Sequence, residues 1–160
     1  MRWILGVMLM FAFALFTVGD ATAALNDEQW SRFYARYTGQ WRLNPAKSAY
    51  LTGSAPKESS TFTYTPKPGG KNTRYNDDAV HILDGRENPL STKGDPRNTV
   101  AREVLDEFTV ANTLRQNGRI TSRNTFVLSP DGDAGVFVMM SVDDRGKWTI
   151  NGTTYREKVK

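Results

Sequence analysis

The sequence contains no cysteine. A disulfide framework is therefore excluded, and no cysteine is present to carry a lipid anchor. Histidine is nearly absent as well, since His81 is the single imidazole in 160 residues. No nucleophile motif and no second metal ligand at a suitable spacing accompanies it. We therefore expect no catalytic residues, no metal site, no cofactor and a non-enzymatic protein, with His81 on a solvent-exposed strand or loop.

The charged residues form no block of one sign. Lysine and arginine total 21 against 17 aspartate and glutamate residues, which gives a net charge of +4. The basic residues are scattered singly or in pairs, and they do not interleave with aromatic residues on one strand face, as in single-stranded nucleic-acid sites. We expect a mildly basic, solvated exterior and no nucleic-acid partner.

The amino terminus has the three parts of a secretory signal. Met1-Arg2 is basic, the run from Trp3 to Val18 carries no charge, and Ala21-Thr22-Ala23 fits a signal-peptidase site. A membrane-spanning helix needs ~20 apolar residues, which is longer than this run. An uncleaved anchor is the alternative. These features predict a signal peptide over residues 1–23, export to the periplasm or the extracellular space, and no stable membrane anchor. Residues 24–160 form a single predicted domain.

A short amphipathic helix is predicted directly after this segment. Asn26 is a candidate N-cap, and Gln29 at the third helical position can reach back to it. The helical spacing then places four aromatic residues on one stripe: Trp30, Phe33, Tyr34 and Tyr37. This stripe either packs against the rest of the domain as a lid or forms a docking surface for a partner.

The remainder reads as strands separated by turn signals. Asn117-Gly118 is the sharpest of these signals, a two-residue hairpin turn between long β-rich arms. Short connections favour an up-and-down meander that closes when its first and last strands meet. We predict an all-β fold, an antiparallel up-and-down barrel of eight to ten strands with a short N-terminal helix. The first strand is predicted to begin at Gly39, and the last is predicted over residues 153–159. The strands predicted between them are 61–65, 80–83, 99–105, 107–115, 120–129, 136–142 and 147–150.

The two ends of the predicted barrel carry its most specific pattern. Gly39 lets the first strand begin tightly against the helix end, and the Trp41 indole can then close the barrel base under a cation from the last strand, 153–159. Arg156 is a candidate for that cation, and the alternative is that it points into the lumen. Gly-Gln-Trp-Arg-Leu-Asn-Pro-Ala-Lys-Ser, residues 39–48, closely resembles the opening of secreted bacterial lipocalin-like proteins of the calycin superfamily.

Three turn segments extend this resemblance in the same order along the chain. They are residues 83–90, 115–119 and 129–132, which resemble turns of the same lipocalin-like proteins. The resemblance implies an antiparallel calycin-type barrel. Fatty-acid-binding proteins of the wider superfamily clamp a carboxylate with an Arg-x-Tyr pair, whereas Thr154 and Arg156 stand at those positions here. We therefore expect neutral or weakly polar ligands over fatty acids. The alternative is that Arg156 points into the lumen and binds a fatty-acid carboxylate.

The lumen is predicted from the alternation on the central hairpin. One face of each arm is apolar with a polar residue in the middle, as a binding lumen requires. In the alternative, side chains fill the barrel, and Asn112 and Asn124 hydrogen-bond to each other or to a buried water. For residues 136–142, alternation leaves open which face points inward. The lumen candidates are Phe108, Asn112, Leu114, Asn124, Phe126 and Leu128.

These features favour a monomeric carrier of a small, apolar or weakly polar molecule. A filled barrel would instead favour a non-enzymatic interaction or inhibitor protein of the cell envelope. An enzyme built into the lumen is a third class, for which the sequence offers no catalytic motif.

Overall fold

The computed structural model of the protein describes residues 25–52, 60–67, 72–75 and 79–160. The predicted signal peptide, residues 1–23, lies outside these ranges. Within them, one helix precedes ten strands. The elements are α1 (Asp27–Tyr37), β1 (Gly39–Tyr50), β2 (Thr61–Pro66), β3 (Asn72–Tyr75), β4 (Ala79–Ile82), β5 (Asp84–Pro89), β6 (Asn98–Asp106), β7 (Thr109–Gln116), β8 (Arg119–Leu128), β9 (Ala134–Val142) and β10 (Trp148–Lys158).

The ten strands form one antiparallel sheet in the order β4-β3-β2-β1-β10-β9-β8-β7-β6-β5. Apart from β4 and β5, strands pair with their neighbours in sequence, and the first strand pairs with the last, as in a meander. The two outermost strands, β4 and β5, are consecutive in the chain, with Leu83 alone between them. The sheet must therefore curl, because both of its edges have to meet at Leu83, and it forms a half-barrel. The predicted all-β antiparallel fold with a short N-terminal helix is confirmed at this level.

Turn chemistry explains most of the strand boundaries. Asn117 and Gly118 have φ values of 52° and 76°, which suits a two-residue hairpin turn, and they join β7 to β8 as predicted. Two strands, β3 and β5, are not predicted, and the predicted break at Asp84-Gly85 is instead the start of β5. Two further differences concern strand boundaries. Glu107 and Phe108 form the β6–β7 turn, and the separately predicted segments 147–150 and 153–159 are one continuous strand, β10.

The predicted helix cap is confirmed. The Asn26 side chain accepts a hydrogen bond from the Gln29 backbone N–H at 2.9 Å, and the Gln29 side chain accepts one from the Asn26 N–H at 3.0 Å. This reciprocal pair satisfies two of the N–H groups that a helix start leaves without an intrahelical partner. The helix therefore begins where the sequence predicts, directly before the aromatic stripe.

The helix covers one end of the half-barrel. Phe33 and Tyr37 are fully buried, and Tyr37 stacks on Tyr64 of β2 with ring centroids 4.2 Å apart. The aromatic stripe is thus a lid on its own sheet, and a docking surface built on these two residues is the wrong interpretation. This covered end holds the apolar core, which comprises Phe33, Tyr37, Trp41, Phe62, Tyr64, Leu83, Val104, Val110, Phe126 and Leu128.

Charged contacts fix the helix against the turns at the covered end. The Glu107 carboxylate accepts hydrogen bonds from Arg32 at 2.6 Å and from Arg36 at 3.0 Å. These guanidinium groups, Arg32 first, lower the pKa of Glu107 below its ordinary value. The Lys158 ammonium of β10 donates to the carbonyls of Ala35 and Arg36, which lie at the helix C-terminus. The helix is therefore tied to both the β6–β7 turn and the last strand.

Candidate functional site

A cavity of about 360 Å³ lies on the concave side of the sheet. The register places it between the covered end and the opposite end, where the turns 117–118 and 143–147 lie. We call that opposite end the mouth. The apolar lining residues are Leu43, Phe62, Leu90, Val100, Leu114, Phe137 and Met139, and the polar ones are Tyr50, Ser60, Tyr64, Arg102, Asn112, Asn124, Thr154 and Arg156.

Three of the six predicted lumen residues line this cavity: Asn112, Leu114 and Asn124. Asn112 of β7 pairs directly with Asn124 of β8, so both side chains stand on the concave face. The Asn112 side-chain amide donates to the Asn124 backbone carbonyl at 3.3 Å. The polar middle of the hairpin, which alternation predicts, therefore lies in the cavity wall.

The other three predicted lumen residues lie outside the cavity lining. Phe108 belongs to the β6–β7 turn, where the Arg36 guanidinium lies 4.6 Å from the centre of its ring. Phe126 and Leu128 are buried in the core at the covered end. Alternation correctly predicts which face of a strand points inward. It does not predict at which residue along that face the cavity ends and the core begins. A substitution at Phe126 would therefore report on the core and not on the cavity.

The face of β9 that alternation leaves open is decided by the structure. Phe137 and Met139 line the cavity, so Val136, Val138 and Met140 stand on the convex face. Met139 pairs with Asn124, which fixes its position in the wall. Two residues nearer the covered end, Phe137 stacks on Phe126 with ring centroids 4.2 Å apart. The floor of the cavity is therefore an aromatic layer.

Trp41 stands beneath this floor at the covered end. Its side chain is fully buried, and its indole N–H donates to the Tyr37 carbonyl at 2.9 Å. Gly39 opens β1 with a φ of 120°, which favours glycine. The Lys158 ammonium lies 5.4 Å from the centre of the indole, and burial lowers the pKa of this ammonium.

Arg156 does not cover Trp41, and its predicted role in barrel closure is wrong. In the β1–β10 ladder Trp41 stands opposite Lys158, whereas Arg156 stands two residues further on, opposite Leu43. The Arg156 guanidinium instead lies 4.5 Å from the centre of the Phe62 ring and lines the cavity. Both residues are cations on the same strand face, and only the cross-strand register distinguishes them.

Arg102 is a cavity residue that the sequence interpretation missed. It is 6% exposed, and its Nε donates to Nδ1 of His81 at 2.6 Å. One Nη donates to the side-chain oxygen of Asn112 at 2.8 Å and to the Tyr64 hydroxyl at 3.3 Å. A signal for this placement exists, because Arg102 shares its strand face with the apolar Val100 and Val104 of the same β-rich segment.

His81 is fully buried, so its predicted place on an exposed strand or loop is wrong. Since its Nδ1 accepts the bond from Arg102, that nitrogen carries no proton. Its neighbour Val80 is 46% exposed. The imidazole is thus turned inward and the apolar residue outward, because Arg102 supplies the imidazole with a buried donor.

The cavity wall is rich in hydrogen-bond donors. Arg102 and Arg156 both line it, and neither aspartate nor glutamate occurs among its described lining residues. A guanidinium can donate but cannot accept a hydrogen bond. The Tyr50 hydroxyl is buried without a hydrogen-bond partner among the described residues. The wall therefore suits a molecule that combines apolar surface with a hydrogen-bond-accepting group.

Two other kinds of site were sought in the described part of the chain. It contains no cluster of three or more histidine, cysteine, aspartate or glutamate side chains that could hold a metal ion. None of its helices has the length and apolar character needed to cross a membrane.

No model of a known protein family matches the chain, and a comparison with curated proteins finds no match. The protein is defined by its fold and its site as an antiparallel β half-barrel, covered at one end by a helix and holding a cavity of mixed polarity.

Proposed function

We propose that the protein is an exported, lipocalin-like carrier that binds a small, partly apolar molecule in its cavity. The observation that carries this proposal is the cavity itself, about 360 Å³ with apolar and polar lining residues. Small-molecule sites in proteins typically measure about 300–1,000 Å³ and combine an apolar wall with a few orienting polar groups. The alternative of an interaction protein with a filled barrel would require side chains to occupy this space.

Three features support a lipocalin-like origin for the half-barrel. The first strand begins with the Gly39-x-Trp41 motif at the helix-covered end, and the strands follow a meander. The first strand pairs with the last over Trp41 to Tyr50, which is the pairing a closed barrel requires. We propose that the barrel is completed where its two edge strands, β4 and β5, approach each other at Leu83. We also propose that the protein acts as a monomer without chemical turnover.

The proposed ligand is apolar over most of its surface and carries an acceptor group. Phe62, Leu114 and Met139 offer apolar wall, while Arg102 and Asn112 offer donors. Apolar burial then supplies most of the affinity and the donors supply orientation. This agrees with a weakly polar molecule and does not require the fatty-acid clamp that the chain lacks.

Binding in the cavity is tested by titration with the neutral dye N-phenyl-1-naphthylamine, whose fluorescence rises in apolar surroundings. We expect the parent protein to bind the dye and Leu114→Glu to bind it at least about tenfold more weakly, since loss of about 1.4 kcal/mol of apolar contact has that effect. Leu114 suits this test because it lines the cavity outside the core at the covered end.

Thr113→Glu is the matched control. Thr113 precedes Leu114 on β7, so its side chain points to the convex face, and the same charge placed there should leave dye binding unchanged. Displacement by decanol and by decanoate then distinguishes neutral from anionic ligands. Absence of dye binding in the parent, or equal binding in both glutamate variants, would remove the carrier proposal.

Export is tested separately from binding. The basic start, the apolar run and the Ala21-Thr22-Ala23 site predict cleavage after Ala23. We expect the intact mass of protein recovered from the periplasm or the medium to correspond to residues 24–160. Recovery of the whole chain from the membrane fraction would mean that the segment is an uncleaved anchor.

A further inference from the structure

Three large apolar side chains are exposed close together at the mouth. Leu51 is 71% exposed, Ile150 is 51% exposed and Trp148 is 36% exposed. The Leu51 backbone N–H donates to the Asn151 carbonyl at 2.7 Å, so the end of β1 lies beside the start of β10. We refer to Leu51, Trp148 and Ile150 as the mouth patch.

The register extends this patch over the convex face of β9. Ile150 pairs with Met140, and Trp148 pairs with Val142. Because Met139 lines the cavity, Met140 stands on the opposite face, and Ile150 shares that face with it. The apolar surface therefore continues from the rim of the mouth onto the outside of the half-barrel, where it contributes nothing to the core.

Cations surround the mouth patch. Arg123 lies 5.2 Å from the centre of the Trp148 ring. Arg145 and Lys147 are exposed in the β9–β10 turn, and within the described ranges neither makes an ion pair. All three can therefore attract an external anion without first breaking a salt bridge.

The carboxylates of the same region are engaged. The Asp143 carboxylate accepts hydrogen bonds from the backbone N–H groups of Arg145 and Lys147, both at 2.9 Å. Asp144 pairs with Arg119 at 3.0 Å. With Arg119 included, four cations stand against two carboxylates at this end of strands β8–β10. The surface around the exposed apolar residues is therefore positively charged.

We propose that the mouth patch docks reversibly on an anionic lipid bilayer. Tryptophan favours the boundary between water and lipid, because its ring is apolar and its N–H is polar. Apolar side chains framed by lysine and arginine are the surface that binds at such a boundary, and each cation near an anionic leaflet raises partitioning about fivefold. A second copy of the chain is disfavoured, since it would bring two positive rims together.

Docking at this site brings the rim of the mouth close to the lipid. Tyr50, which lines the cavity, directly precedes Leu51 of the patch. An apolar molecule could then pass between bilayer and cavity with little exposure to water. Docking itself does not depend on the proposed carrier function, and its test uses no cavity ligand.

The test measures co-sedimentation of the exported, mature protein with vesicles of equimolar phosphatidylglycerol and phosphatidylcholine, and with vesicles of phosphatidylcholine alone. We expect binding to the anionic vesicles, weaker binding to the neutral ones, and a blue shift of tryptophan emission on binding. Arg145→Gln combined with Lys147→Gln should lower the partition coefficient about 25-fold, at about fivefold for each cation. Ile150→Ser should lower it roughly tenfold through lost apolar burial.

Matched controls lie near the covered end of the half-barrel. Val159 is 39% exposed and Arg42 is exposed, so Val159→Ser and Arg42→Gln remove the same kinds of group away from the mouth. Both should bind anionic vesicles as the parent does, and all variants should keep the melting temperature of the parent.

The proposal is overturned if the parent does not bind vesicles or binds both kinds equally well. It is also overturned if the mouth variants and the control variants lose vesicle binding to the same extent. A different result would assign the patch to a second copy of the chain. In that case the parent would be a dimer in sedimentation equilibrium, and the mouth variants would be monomers that still bind vesicles.

Discussion

Trp41→Ala is expected to destabilise the protein by about 3–5 kcal/mol, the usual cost of removing a fully buried tryptophan side chain. The indole is 0% exposed, lies against the edge of Phe126 with ring centroids 5.2 Å apart, and donates to the Tyr37 carbonyl. Its removal leaves a cavity under the helix and an unpaired carbonyl. A marginally stable domain has only about 5–15 kcal/mol of unfolding free energy, so much of it should be lost.

Urea unfolding, followed by far-ultraviolet circular dichroism, measures this change in unfolding free energy. Trp148→Ala is the control, because Trp148 is 36% exposed at the mouth and lies outside the core, so its removal leaves no buried cavity and should lower the unfolding free energy far less. Equal unfolding midpoints for the parent and Trp41→Ala would show that the indole does not close this end of the half-barrel.

Gly152→Ala is expected to lower the free energy of unfolding by about 2–5 kcal/mol, the second of the two largest effects. Gly152 has a φ of 145°, and a Cβ built on it would lie 2.2 Å from the Ala49 carbonyl oxygen and 3.0 Å from the Tyr50 Cα. Forcing an L side chain into this conformation costs about 1–2 kcal/mol, and overpacking against backbone costs about 1–3 kcal/mol more. Gly152 pairs with Tyr50, in the ladder that joins the first strand, β1, to the last strand, β10.

Gly146→Ala separates the two contributions. Gly146 also has a positive φ, 80°, but a Cβ there would meet nothing within 4 Å. Thermal unfolding should therefore show a loss of about 1–2 kcal/mol for Gly146→Ala, from backbone strain alone. If Gly152→Ala destabilises the protein no more than this control, the close approach of β1 to β10 at Ala49 is not real.

Part of the candidate site is predictable from the sequence. The capping box at Asn26 and the hairpin turn at Asn117-Gly118 are local signals, and the structure has both where they are predicted. Alternation on the central hairpin correctly places Asn112 and Leu114 in the cavity wall. Local conformational preferences and the two-residue period of a strand suffice for these features.

Other parts of the site depend on residues far apart in the chain. Alternation gives Phe126 the correct face but not its depth in the core. The choice between Arg156 and Lys158 over Trp41 follows from the β1–β10 register, which joins residues more than a hundred positions apart. The burial of His81 requires Arg102 on another strand, and no local pattern around the histidine contains that partner.

The sequence by itself determined most of the strand and turn pattern, without β3 and β5, together with the helix and its cap and the inward face of the central hairpin, because each depends on neighbouring residues. The tertiary structure alone decided where the cavity ends, which cation covers Trp41, and that Arg102 and Arg156 line the cavity wall. It also decided that the end of β1, with the exposed Leu51, lies beside the start of β10, with the exposed Ile150. The physical reason is that curvature and cross-strand register arise from the packing of the whole sheet, so contacts between distant strands follow from its geometry and not from local preference.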